Sequence, residues 1–121
     1  MTPEALQRWL DAYIEAWRSY DASAIGDLFT EDANYRYNPW DEPIQGRDAI
    51  VAEWLSARDE PGSWNAVYRP FVVAGSSAVA VGETSYADGK SYFNSWQLTF
   101  DQDARCSDFV EWYMTSPVGR Q

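Results

Sequence analysis

Glu111 stands in the string FVEWY, with Phe109 and Tyr113 two residues to either side. On an extended strand those three side chains share a face. Turned inward, the carboxyl would sit among rings, where desolvation favours the neutral acid and raises its pKa. A carboxylic acid tuned this way can give and take a proton near neutral pH. Tyr13 could donate a hydrogen bond to a ligand carbonyl or oxyanion. Asn94, between Tyr92 and Trp96 at strand spacing, must be hydrogen-bonded if buried, and could orient Glu111 or a ligand. Each has a plainer reading. Glu111 could be a structural partner of Arg69 or Asn94, or a solvent-facing edge group, and Tyr13 could be ordinary helix core. Trp17, Tyr35, Tyr37, Trp54 and Trp96 are candidate cavity walls, and Trp40, Asp41 and Glu42 a candidate rim or a solvated acidic turn.

Composition removes most other chemistries. The 121 residues contain no histidine, so Ser-His-Asp and Cys-His catalysis fall away, as does the commonest ligand of zinc, copper and non-haem iron. Cys106 is the single cysteine, so an internal disulfide or thiolate cluster cannot form. The acidic residues lack EF-hand spacing, so neither a metal nor another cofactor is expected. Nine Lys and Arg against nineteen Asp and Glu give a net charge of −10, which argues against a nucleic-acid partner. No run approaches the roughly 20 apolar residues of a membrane span, and MTPEALQRWL lacks a signal-peptide apolar run. The expectation is a cytoplasmic protein without a membrane partner. Aromatics make up 17% of the chain, including seven Trp and eight Tyr. Such side chains often line a cavity for a flat, apolar small molecule.

The elements that must position these residues are legible in outline. The length fits one domain over residues 1–121, without repeats or a linker. Thr2-Pro3 opens a helix of about five turns, carrying Leu6, Trp9, Leu10, Tyr13, Ile14 and Trp17 as one stripe. Asp21 caps a short second helix through Ile25, Leu28 and Phe29. Ala33–Tyr37 reads as a strand stopped by Asn38-Pro39. A third helix from about Arg47 to Ala57 sets Ile50 and Trp54 on one face. Segments Trp64–Val73, Ala78–Tyr86, Ser91–Phe100 and Cys106–Met114 then read as long strands joined by turn residues. The prediction is an α+β domain in which three helices pack on a strongly curved, mainly antiparallel sheet, forming a cone. Tyr92, Asn94, Trp96, Leu98 and Phe100 share the inward face. Periodicity leaves open whether the last strand turns Phe109, Glu111 and Tyr113 inward or Asp108, Val110 and Trp112.

Several strings together resemble the nuclear transport factor 2-like superfamily, and within it the SnoaL-like branch. They are AYIEAWRSYD, AIGDLFTEDANYRYNP, QGRDAIVAEWL, SYADGKSYFNSWQLTFD and FVEWYMTSP, which span nearly the whole chain. The resemblance implies the same cone and favours the face of Phe109, Glu111 and Tyr113 as the inward one. It also implies a homodimer through the outer sheet face, which would cover Val79, Val81 and Phe93.

The fold hosts many activities, so activity must be tested residue by residue. Ketosteroid isomerase-like members place a tyrosine where Tyr13 stands, but their general-base aspartate falls at Tyr37 and their protonated aspartate at Trp96. Limonene epoxide hydrolase-like members match at Glu111 and Tyr35. Their asparagine falls at Tyr37, and their arginine and second aspartate fall near Gly82 and Thr84. Polyketide cyclases of the SnoaL-like branch work with few pocket residues, a role open to Glu111. The expectation is therefore a cofactor-independent isomerase, cyclase or hydrolase using Glu111 and Tyr13 on an apolar molecule. Ligand contacts would come from Trp17, Tyr35, Tyr37, Trp54, Asn94, Trp96, Phe109 and Tyr113. The alternative is a non-catalytic binding or dimerisation module.

Overall fold

Thr2 caps the first helix, its Oγ1 accepting the Ala5 N–H at 3.1 Å, and Pro3 occupies a first-turn position where no intrahelical N–H bond is needed. Helix α1 (Pro3–Ser19) buries Leu6, Trp9, Leu10, Tyr13 and Ala16 along one face. It ends at Tyr20, whose φ of 50° closes the last turn. Asp21 caps α2 (Ala22–Gly26), and α3 (Arg47–Ser56) buries Ile50 and Trp54. The computed structural model describes residues 1–115. Residues 116–121, the end of the expected domain, lie outside the described part.

The strands are β1 (Phe29–Arg36), β2 (Ile44–Gln45), β3 (Trp64–Ala74), β4 (Ser77–Tyr86), β5 (Ser91–Phe100) and β6 (Cys106–Thr115). They form one sheet in the order β2-β1-β6-β5-β4-β3. The β3–β6 meander is antiparallel, while β1 joins β6 in parallel. Helix α1 packs on β3 and α3 on β1, so the helices cover the concave face. The observed architecture is the predicted α+β cone.

Three details differ from the sequence reading. The second helix stops at Gly26 and Phe29 already belongs to β1, which therefore starts four residues before Ala33. The polar run Thr30-Glu31-Asp32 hid this stretch, and the β1–β6 register shifts between Phe29 and Asn34. The two-residue strand β2 pairs with Asn34 and Tyr35 and was too short to show a pattern. The core is dominated by rings: Tyr13 packs against Trp96 at 4.6 Å and against Trp54 at 4.9 Å, between ring centroids. Phe109 stacks beneath Tyr35 at 4.3 Å.

Candidate functional site

Strand pairing assembles the site. Tyr68 lies opposite Gly82, Gly82 opposite Asn94, Asn94 opposite Tyr113, and Trp96 opposite Glu111. Alternation then puts Tyr68, Thr84, Asn94, Trp96 and Glu111 on one concave surface. Gly82 is needed at its position. A Cβ there would strike the Val67 carbonyl oxygen and come within 2.5 Å of Cδ1 of the Tyr68 ring. The ring instead lies flat over the glycine and stacks on Trp96 at 4.0 Å. The register resolves the ambiguity of the last strand: Phe109 and Glu111 point inward, and Trp112 is exposed.

A cavity of about 650 Å³ opens between this surface and helices α1 and α3. Glu111 lies within it. Its Oε2 accepts the Asn94 Nδ2–H at 2.8 Å and the Trp96 indole N–H at 2.9 Å. Its Oε1 accepts no hydrogen bond among the described residues and is not a sealed atom, so it is the oxygen open to the cavity. Burial pushes the Glu111 pKa up from the ordinary value of 4.5, and the two donors pull it partly back.

A directed chain of hydrogen bonds ends on that carboxylate. Thr84 donates its one hydroxyl proton to Asn94 Oδ1 at 3.2 Å, so Tyr68 donates to Thr84 Oγ1 at 2.6 Å. The Asn94 amide is thereby oriented with its NH₂ toward Glu111. On the facing wall the Tyr13 and Tyr35 hydroxyls lie 2.7 Å apart. One donates to the other, leaving one further O–H donor from the pair. Burial raises both tyrosine pKa values well above 10, and the nearby Glu111 charge adds to the rise. Burial likewise raises Tyr37, Tyr68 and Tyr86, the last to about 12, again with a contribution from Glu111. These phenols therefore stay protonated at neutral pH and serve as donors.

Of the expected site residues, Tyr13, Trp17, Tyr35, Tyr37, Trp54 and Trp96 line the cavity together with Asn94 and Glu111. Tyr113 lines its outer part and is half exposed. Phe109 is a correction: it is fully buried behind Tyr13 and Tyr35 and does not line the cavity. The Trp40, Asp41 and Glu42 rim is also absent from the lining. Arg36 donates to the Asp41 carbonyl at 3.1 Å, and Trp40 projects into solvent. Arg69 lies on the outer face, away from Glu111. The sequence reading missed Tyr68, Tyr86, Glu53 and Asp59. Tyr68 and Tyr86 share the inward alternation of Gly82 and Thr84 and could have been found from it. Asp59 comes from the loop after α3, which has no period. Its carboxylate accepts the Trp17 indole N–H at 3.0 Å, and its backbone N–H donates to the Tyr20 hydroxyl at 2.8 Å.

The SnoaL-like domain model matches residues 10–115. The chain belongs to the SnoaL-like domain family. No curated protein sequence matches it. An NTF-2 like protein of unknown function from Burkholderia xenovorans LB400 superposes with a TM-score of 0.72 at 20% identity, covering 97% of this chain and 91% of that one. A ketosteroid isomerase-like protein from Kribbella flavida DSM 17836 gives a TM-score of 0.72 at 20% identity, over 98% and 87% of the two chains. An LEH-like epoxide hydrolase from M. tuberculosis gives 0.67 at 12% identity, over 88% and 80%. At these identities the likeness shows the nuclear transport factor 2-like fold alone. Among the described residues of this SnoaL-like chain, no three His, Cys, Asp or Glu side chains gather as a metal-binding group. Nor, among the described residues, is any helix long and apolar enough to cross a membrane.

Proposed function

We propose that the cavity binds a small organic molecule with an apolar body and that Glu111 transfers protons to and from it. The observation that carries this reading is the half-free carboxylate. Two N–H donors fix one oxygen while the other opens on the cavity, and burial lifts the pKa above the ordinary carboxyl value, the direction that suits acid/base work. The Tyr13–Tyr35 hydroxyl pair supplies a donor that could stabilise negative charge developing on a substrate oxygen. Proton transfer next to a carbonyl, as in isomerisation or cyclisation, needs no more than these two parts. The isomerase and epoxide hydrolase neighbours are consistent with a proton-transfer pocket, but the resemblance to ketosteroid isomerase-like members puts Tyr37 and Trp96 where those members carry aspartates. That substitution favours a second reading, a carrier that holds its ligand unchanged.

Deuterium uptake distinguishes the two. The protein should accelerate exchange at C2 of 1-tetralone in D₂O, followed by NMR. Glu111→Gln should slow the catalysed exchange by about 10²-fold or more, the usual scale for a general base, while ligand-induced chemical-shift changes persist. Equal acceleration by the two proteins would take the proton transfer away from Glu111, and no acceleration by the parent over buffer, with binding retained, would leave only the carrier.

A further inference from the structure

The lining of the cavity carries a charge pattern that an apolar neutral ligand does not explain. Among the described residues it presents four carboxylates, Glu53, Asp59, Asp88 and Glu111, against one ammonium, Lys90. Lys90 is mostly exposed and faces Asp88 at 4.0 Å on the β4–β5 hairpin, so the two largely cancel. Glu111 has no such partner. The ion pairs among the described residues are Arg36–Asp108, Lys90–Asp88 and Arg105–Asp27, and both groups that bond Glu111 are neutral. A partly buried carboxylate without a counter-ion is costly to keep charged, and a cation beside its free oxygen would relieve the cost.

Eleven of the nineteen lining side chains are aromatic. Ring faces attract cations through their quadrupole, most strongly where water is excluded. Rings at the mouth already do so within the chain. The Arg58 guanidinium lies 5.5 Å from the Tyr20 centroid, and that of Arg18 lies 6.0 Å from Trp64, which stacks on Trp17 at 3.6 Å. Both guanidiniums stay outside the lining; of the deeper rings, Trp96 has one face on Tyr68 and Tyr35 has one on Phe109, and no cation of the described residues covers the others. The net charge of −10 favours the approach of a positive ligand.

We propose that the cavity takes an organic cation, a protonated or quaternary amine on an apolar ring-bearing body. Its nitrogen lies against Glu111 Oε1 and its body among the tyrosine and tryptophan faces. This rests on the reading of the cavity as a ligand site and adds the charge of the occupant. The volume suits a molecule of ordinary drug-like size.

The test uses three probes of one shape class, titrated by calorimetry and by tryptophan fluorescence. They are benzyltrimethylammonium, its neutral isostere neopentylbenzene, and the anion phenylacetate. The cation should bind about ten-fold or more tighter than the isostere, the scale of a desolvated cation–π and ion-pair contact, and phenylacetate weakest. Glu111→Gln should bring the ratio of cation to isostere toward one. An isostere that binds as well as the cation overturns the charge assignment and leaves the ligand site standing. Failure of all three probes overturns the charge assignment, and the ligand site falls with it only if 1-tetralone also fails to bind. The probe series in the unmodified protein decides the matter even if the variant fails to fold.

Discussion

Glu111 holds its proton more tightly in the folded chain than in the unfolded one, because burial disfavours the anion. Unfolding therefore releases that proton, and the contribution of this group to stability falls as pH rises from 4.5 through the raised folded value. Below 4.5 both states are protonated and the contribution is flat. Glu111→Gln keeps the shape and removes the charge, so its melting temperature should rise relative to the parent as pH climbs from 4 to 8. A melting difference that does not change with pH would show that the carboxyl is not perturbed. Trp96→Phe removes one of the two donors that favour the anion. It should raise the Glu111 pKa further and move the acid limb of any pH–rate profile upward, a shift readable by carboxyl-carbon NMR even without a known substrate. Glu111, Tyr13 and Asn94 could be singled out from the sequence because a polar group among rings at strand spacing demands an explanation. That Phe109 is core and Tyr113 rim could not, since depth along a strand depends on where the helices stop covering it.

At the scale of elements, the site depends on the flat placement of Tyr68 over Gly82. Gly82→Ala forces the ring away from Trp96 and breaks the chain through Thr84 and Asn94 to Glu111. The expected cost is about 1–3 kcal/mol in urea unfolding, as for overpacked cores, together with a changed Trp96 fluorescence environment. An unchanged midpoint and spectrum would mean that the sheet absorbs the methyl group without moving the ring. Thr2→Ala should cost about 1 kcal/mol through the lost N-cap bond, and should leave that fluorescence unaltered because the cap lies several turns along α1 from Tyr13, which packs on Trp96. The helices and the four long strands were readable because caps, turns and alternation are local signals. The parallel pairing of β1 with β6 was not. It joins segments far apart in the sequence, as Phe29 and Cys106 show, and nothing near either partner records it.

At the scale of the molecule, the outer sheet face is left uncovered among the described residues. Val67 and Met114 are each 67% exposed, and Phe93 and Trp112 also face solvent there. They frame an apolar groove that also contains Arg69 and Glu83. Neither charge is in an ion pair among the described residues. Opposite charges on one patch suit a two-fold axis, because each can meet the other's counterpart on a second copy. We therefore propose a homodimer through this face, as an apolar patch of this kind favours burial. Light scattering should give twice the chain mass at micromolar concentration. Val67→Lys combined with Trp112→Lys should produce a monomer, since each buries a charge at the centre of the contact, while circular dichroism stays native. A parent protein that is already monomeric at that concentration would reject the dimer, and a double variant that remains dimeric would place the contact elsewhere. The cavity opens on the concave side of the sheet and meets this groove only at Asn94 and Tyr113. The charge pair should therefore abolish assembly without altering benzyltrimethylammonium affinity by more than a small factor. A large loss of affinity in the monomer would show instead that assembly holds the curvature on which the cavity depends.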